Sequence, residues 1–202
     1  MSSRPRPAES AAPGSGRQAL VDATVRVVAR KGLRGLTYRE VAEEAGVTHG
    51  LVSHHFGSRD ALIEETLQYV FRSSIALSFL HRHPSGLEDF GRGLPEAIAA
   101  TDEQQVFEYE MGLEARRRPE LLAELRAVYE EYVTMVERQL RAIGIDRERS
   151  FARLIFAALD GLVLQQVFFG RVEETETGIE ELRSLLRALI ANPDSDEADI
   201  PD

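Results

Sequence analysis

The chain has 202 residues, 24 of them basic and 34 acidic, for a formal net charge of −10 with 43% hydrophobic residues. That length suits one ordinary domain or two small ones, and the composition excludes a mainly disordered chain. There is no cysteine, which excludes a disulfide scaffold, a thiolate zinc site and a cysteine nucleophile and suits the reducing cytosol, so a cytoplasmic location is expected. No uninterrupted apolar run approaches the roughly 18–20 residues of a bilayer-spanning helix. The longest, Leu154 to Leu164, is broken by Asp160, so no membrane partner is expected. Met1 to Gly16 carries arginines but no apolar stretch and does not read as a secretory leader.

Charge is uneven along the chain. Residues 1–62 hold nine basic and six acidic side chains, a balance of +3, and the remainder carries −13. A basic head on an acidic body suggests that the head alone meets an anion. Residues 1–16, rich in Ser, Pro, Ala and Gly, read as a flexible arm, and residues 192–202 as a disordered acidic tail.

Between them the apolar period is helical almost throughout. A first helix runs from about Arg17 to Lys31, with Leu20, Thr24, Val27 and Val28 on one face and Gly32 as its stop. Thr37-Tyr38-Arg39-Glu40 is a capping box opening a short helix that ends at Ala45-Gly46. Thr48 is the N-cap candidate of another short helix, to His55, and Ser58 opens a fourth that reaches toward Phe79. Two short helices separated by Gly46 and Val47 form a helix-turn-helix pattern, with Val41, Val47, Val52 and Phe56 as its core. In the body, a helix over Leu87–Ala100 is kinked at Pro95, and others cover 102–117, 119–143 and 147–169. A last helix starts at Thr177 or Gly178 and ends at Ala191. The fold class is all-α, about nine helices: a three-helix head (17–62) joined by a long helix to a helical-bundle body (63–191).

From Leu36-Thr37-Tyr38-Arg39-Glu40-Val41-Ala42, through Ala45-Gly46-Val47, to His55-Phe56-Gly57-Ser58-Arg59-Asp60-Ala61-Leu62, the chain resembles the TetR family of bacterial transcriptional repressors. The family often has Tyr two residues before the His, where this chain has Ser53. The Leu51-Val52-Ser53-His54-His55-Phe56 version resembles a subgroup that includes choline-responsive repressors. The resemblance implies a ligand-responsive repressor that binds palindromic double-stranded operator DNA as a homodimer and is released by a small-molecule effector. An all-helical enzyme is the reading from another class. It lacks a nucleophile elbow, a phosphate loop and a His–carboxylate pair, so no catalytic residue is assigned. An interaction protein would not need the basic head.

In such a head, side chains near the start of the second short helix enter the major groove. Those are Thr48, His49 and Gly50, with Ser53 and His54 one turn on. Phosphate donors would come from Thr37, Tyr38, Arg39, His55 and Arg59, beside the helix N-termini. The five histidines, His49, His54, His55, His81 and His83, show no i, i+3 or i, i+4 pair, so neither a metal nor another cofactor is expected.

In the body Phe107, Met111, Tyr129, Tyr132 and Met135 recur at helical spacing, as core or as the lining of an effector cavity. Asp160, a lone charge in an apolar helix, needs a partner: an arginine, a helix cap, a second protomer or a cationic ligand. The effector is expected to be a small, largely apolar molecule, with a cationic group as the alternative. Glu108, Glu110 and Glu114 read as solvated. The dimer interface is expected on the last two helices, at Leu154, Ala158, Gly161, Leu162, Gln165, Phe169, Leu182, Leu186 and Leu189.

Overall fold

A computed structural model describes residues 15–77 and 84–192 of the chain. The arm up to residue 14, Phe79, His81, His83 and the acidic tail from residue 193 lie outside the described residues. Nine α-helices and two 3-10 turns make up the regular structure of the described residues, with no strand. The chain divides into two compact units, and the division falls between Tyr69 and Val70, inside the fourth helix.

The first unit is built on α1 (Ser15–Lys31), α2 (Tyr38–Ala45), α3 (His49–Phe56) and the start of α4 (Arg59–Leu77), with a 3-10 turn at Leu33–Gly35. The expected face of α1 is its core face: Leu20, Thr24, Val27 and Val28 are all buried. Thr24 satisfies its hydroxyl on the Leu20 carbonyl one turn back, at 2.8 Å. Val41, Val52 and Phe56 are buried with them, whereas Val47 is half-buried.

Local chemistry sets the boundaries. Thr37 Oγ1 accepts from the Glu40 backbone N–H at 3.2 Å and caps α2. The box is not reciprocal, because the Glu40 carboxylate turns to Lys31 at the end of α1. Gly46, at φ 66°, closes α2 in the left-handed conformation, and the Val47 N–H then reaches the Ala42 carbonyl at 2.9 Å. Ser58 Oγ accepts from the Ala61 N–H at 3.1 Å and caps α4.

The second unit contains a 3-10 turn at Leu87–Asp89, α5 (Leu94–Ala100), α6 (Asp102–Ala115), α7 (Pro119–Ala142), α8 (Arg149–Phe169) and α9 (Val172–Ala191). Its core joins Phe90, Leu94 and Ile98 to Val133, Val136 and Leu140 of α7, Ile155 and Leu159 of α8, and Ile179, Leu182 and Leu186 of α9. Arg149 donates to Glu137 at 2.9 Å and to Glu130 at 3.0 Å, fastening the start of α8 along α7.

Two expectations are corrected here. The kinked helix over 87–100 is instead a 3-10 turn followed by α5, because Gly91 (φ 72°) and Gly93 (φ 82°) break the chain. Pro95 falls in the first turn of α5, where its missing N–H costs nothing. The last helix starts at Val172, five or six residues before the expected Thr177 or Gly178. Glu173 and Glu174 favour the positive end of the helix there. Gly178 lies inside α9 because the Leu162 side chain crosses at that point. By length and composition α8 as a whole could cross a bilayer, but Ala152, Ile155, Leu159 and Gln166 form a buried stripe along it.

Candidate functional sites

In the first unit, the amphipathic pattern of α3 sorts its side chains. Val52 and Phe56 face the core, Leu51, Ser53 and His55 are half-buried, and Thr48, His49, Gly50 and His54 are exposed. Thr48 has the extended backbone of an N-cap but makes no side-chain cap bond. Ser53 Oγ donates to the Gly50 carbonyl at 3.1 Å. The Tyr38 ring meets His49 edge-on, with centroids 5.9 Å apart, so the start of α2 adjoins the start of α3. The Tyr38 hydroxyl is buried without a hydrogen-bond partner among the described residues, and burial raises its pKa above the usual phenol value. Thr37 and Arg39 are exposed beside it.

Arg59 is placed differently from a free phosphate donor. Its Nε donates to the Leu36 carbonyl at 2.9 Å and its Nη2 to the Leu33 carbonyl at 2.6 Å. The guanidinium thereby ties the start of α4 to the segment leading into α2. Arg17 is a second clasp that the sequence pattern did not single out. It pairs with Glu65, donates to the His55 carbonyl at 3.0 Å, and lies 4.9 Å from the centroid of Phe56.

The second unit encloses a cavity of about 290 Å³. Its walls come from one face of each surrounding helix: Phe71 and Ser74 of α4, Leu94, Ala97 and Ile98 of α5, Gln105, Glu108 and Tyr109 of α6, Leu125, Tyr129 and Tyr132 of α7, and Phe156, Leu159, Asp160 and Val163 of α8. Phe156 organises the aromatic wall, with Tyr132 stacked on it at 5.5 Å and Tyr129 edge-on at 5.4 Å.

Two carboxyl groups enter this apolar space, and no Lys, Arg or His lines it among the described residues. Glu108, expected to be solvated, is half-buried on the cavity wall and takes a hydrogen bond from Ser74. Burial, aided by the neighbouring Asp160 charge, pushes its pKa up to about 7. Burial also raises Asp160, and the Tyr109 hydroxyl, 3.2 Å from Oδ1, offsets this in part. Tyr129 is pushed up to about 12 by burial and by both carboxylates.

Of the expected ligand residues, the structure brings together Tyr129, Tyr132 and Asp160 on the cavity wall. Phe107, Met111 and Met135 do not line it; they are buried in packing, at 1% exposure or less. Sequence reasoning missed Glu108, Tyr109 and Phe156. A usable signal was the stripe Gln105, Glu108 on α6 with Thr101 at its N-cap, spaced four and three residues apart.

The expected interface residues also divide. Leu154, Ala158, Gln165 and Phe169 lie on the exposed face of α8, Leu154 and Phe169 both being more than 60% exposed. Gly161 is half-buried on α8. Leu182 and Leu186 belong instead to the chain's own core, and Leu162 and Leu189 pack against it. The unexpected members of the exposed face are Phe168 and Leu185, each 64% exposed.

These two units define a helix-turn-helix protein with an all-helical ligand-cavity body. Residues 20–66 match the family described as bacterial regulatory proteins, tetR family, and residues 85–192 match the tetracyclin repressor-like C-terminal domain. The chain belongs to the TetR family of bacterial transcriptional regulators. It is 29% identical over 185 residues to the HTH-type transcriptional regulator BetI of Burkholderia thailandensis, covering 87% of this chain and 93% of that one. Among solved structures it resembles a transcriptional regulator from Rhodococcus sp. Rha1, with a TM-score of 0.70 and 26% identity over 85% of this chain and 95% of that one. It also resembles the multidrug binding protein EbrR complexed with ethidium, with a TM-score of 0.61 and 30% identity over 87% and 99% of the two chains.

Proposed function

We propose that this regulator is a cytoplasmic repressor that binds palindromic operator DNA as a homodimer and releases it on taking up a small organic cation. The observation that carries the effector assignment is the cavity holding Glu108 and Asp160 among aromatic rings, with no basic side chain on its wall among the described residues. Acidic groups in an apolar enclosure favour a cation with a large apolar or aromatic body, and the rings of Tyr129, Tyr132 and Phe156 suit it. The likeness to EbrR, described as a multidrug binding protein and solved with ethidium, supports this reading.

In the head, Thr48, His49, Gly50, Ser53 and His54 contact base edges, while Thr37, Arg39, His55 and the Tyr38 backbone N–H at the start of α2 serve phosphates. Arg59 acts by positioning the segment into α2. Two heads are needed because one short helix covers too few bases, so half-sites lie at least one helical turn apart, about 34–36 Å. The second protomer docks on the exposed faces of α8 and α9, through Leu154, Phe168 and Leu185. Phe71 and Ser74 of α4 line the cavity, so an occupant acts on the helix whose first turns belong to the head. It changes DNA affinity only as far as it binds the two states differently.

The test is selection of bound duplexes from random DNA, followed by titration of the labelled operator complex with permanent organic cations and with neutral molecules of the same shape. Release by cations alone is expected. Release by the neutral set alone would remove the cation assignment while leaving the regulator intact.

A further inference from the structure

The cavity sets a charge problem that its walls do not solve. Two carboxyl groups share one enclosure, and among the described residues every other polar group lining it is neutral at physiological pH. Ser74 of α4 bonds Glu108, Tyr109 of α6 bonds Asp160, and α7 presents Tyr129 and Tyr132. The residues from α5 carry no titratable group. Two carboxylates in such a space do not both ionise without a counter-charge, just as paired acids elsewhere retain a proton. Each carboxyl has one hydroxyl donor, Ser74 on Glu108 and Tyr109 on Asp160, and burial raises the pKa of both, that of Glu108 to about 7.

We propose that the empty cavity keeps one proton on the Glu108–Asp160 pair, and that an entering organic cation displaces it to solvent. Resting on the cation-effector reading above, this makes the regulator respond to effector and pH together. The exchange balances: a carboxylic acid and a free cation become a carboxylate–cation pair and a released proton. Because protons and effector compete, apparent affinity rises with pH below neutrality, by up to about tenfold per pH unit.

The experiment uses the full chain and three permanent cations that carry no titrating group of their own near neutrality: benzyltrimethylammonium, tetraphenylphosphonium and ethidium. Calorimetry at pH 6.5 is run in phosphate and in Tris, whose ionisation heats differ, and repeated at pH 8.5. The expected result is a heat difference between buffers at pH 6.5 that reports proton release, largely lost at pH 8.5 and absent in Glu108→Gln. In parallel, carbon NMR of the side-chain carboxyls in the ligand-free protein should show Glu108, identified by its loss in Glu108→Gln, titrating near neutrality. Binding with equal heats in both buffers at pH 6.5 overturns the exchange but keeps the cation site. A Glu108 midpoint below about pH 5 overturns it whether or not any probe binds. Failure of all three cations to bind removes the effector reading and this inference together.

Discussion

Leu162 of α8 lies across Gly178 of α9, so that a methyl group at Gly178 would sit 2.5 Å from Leu162 Cδ2. Two effects oppose each other there. Alanine gains about 1 kcal/mol of helix propensity over glycine, while an overpacked contact costs about 1–3 kcal/mol. Gly178→Ala alone is therefore expected to be neutral to destabilising in thermal melts. In a Leu162→Ala background the same change should stabilise by about 1 kcal/mol. Equal effects in the two backgrounds would show that the crossing does not constrain the helices.

Leu185 and Leu186 are adjacent leucines with opposite surroundings, 64% and 0% exposed. Leu185→Glu and Phe168→Glu are expected to yield folded monomers by light scattering with circular dichroism. Leu186→Glu should unfold the body, since an unpaired charge would enter the core. A stable dimer from the Leu185→Glu, Phe168→Glu double variant at micromolar concentration would place the interface elsewhere.

Arg59 and Arg39 should separate stability from electrostatics. Arg59→Ala removes two charged hydrogen bonds to backbone carbonyls, at about 1.5–3 kcal/mol each as an upper range. Its melting temperature should fall, while the salt dependence of DNA binding keeps its slope. Arg39→Ala should leave melting unchanged and lower that slope by about one. The reverse pattern would return Arg59 to the phosphates.

Acid carboxyls buried in the folded state make stability depend on pH with a definite sign. The Glu108 pKa is raised to about 7 in the folded chain from 4.5. Its stabilising contribution is therefore present in full below the unfolded value and lost as pH rises through the folded one. Melting of the effector-free protein should fall between pH 5 and pH 8 by more than in Glu108→Gln. Parallel curves for the two proteins would show that Glu108 is ionised throughout.

Asp160→Asn keeps an acceptor for Tyr109 but removes the charge. Affinity for a permanent cation should drop by about tenfold or more, the loss of one charge-assisted contact. Operator binding without effector should be unchanged. An unaltered cation affinity measured by fluorescence titration would move the cation site away from Asp160.

Helix identity was legible in the sequence wherever a local signal controls the backbone. Thr37 and Gly46 bracket α2 because a hydroxyl cap and a left-handed glycine act within one turn. Signals with two physical meanings misled. Gly178 reads as a boundary, yet it admits a neighbouring side chain; Pro95 reads as a kink, yet it opens a helix. Periodicity also marks a buried stripe without saying what the stripe meets. Met135 is buried and Tyr132 half-buried on α7, but the first packs in the core and the second lines the cavity. Glu108 was read as solvated because acidic side chains usually are, and only the surrounding helices reveal its enclosure.

The Arg17 clasp bears on how the chain can be cut and fused. One side chain, two residues into α1, holds the end of α3 through the His55 carbonyl, the Phe56 ring and Glu65 of α4. A shortened version that begins after Arg17 would lose all three contacts together and loosen the presentation of α3. Fusion partners or immobilising tags attached upstream therefore need a spacer that leaves the first turn of α1 undisturbed.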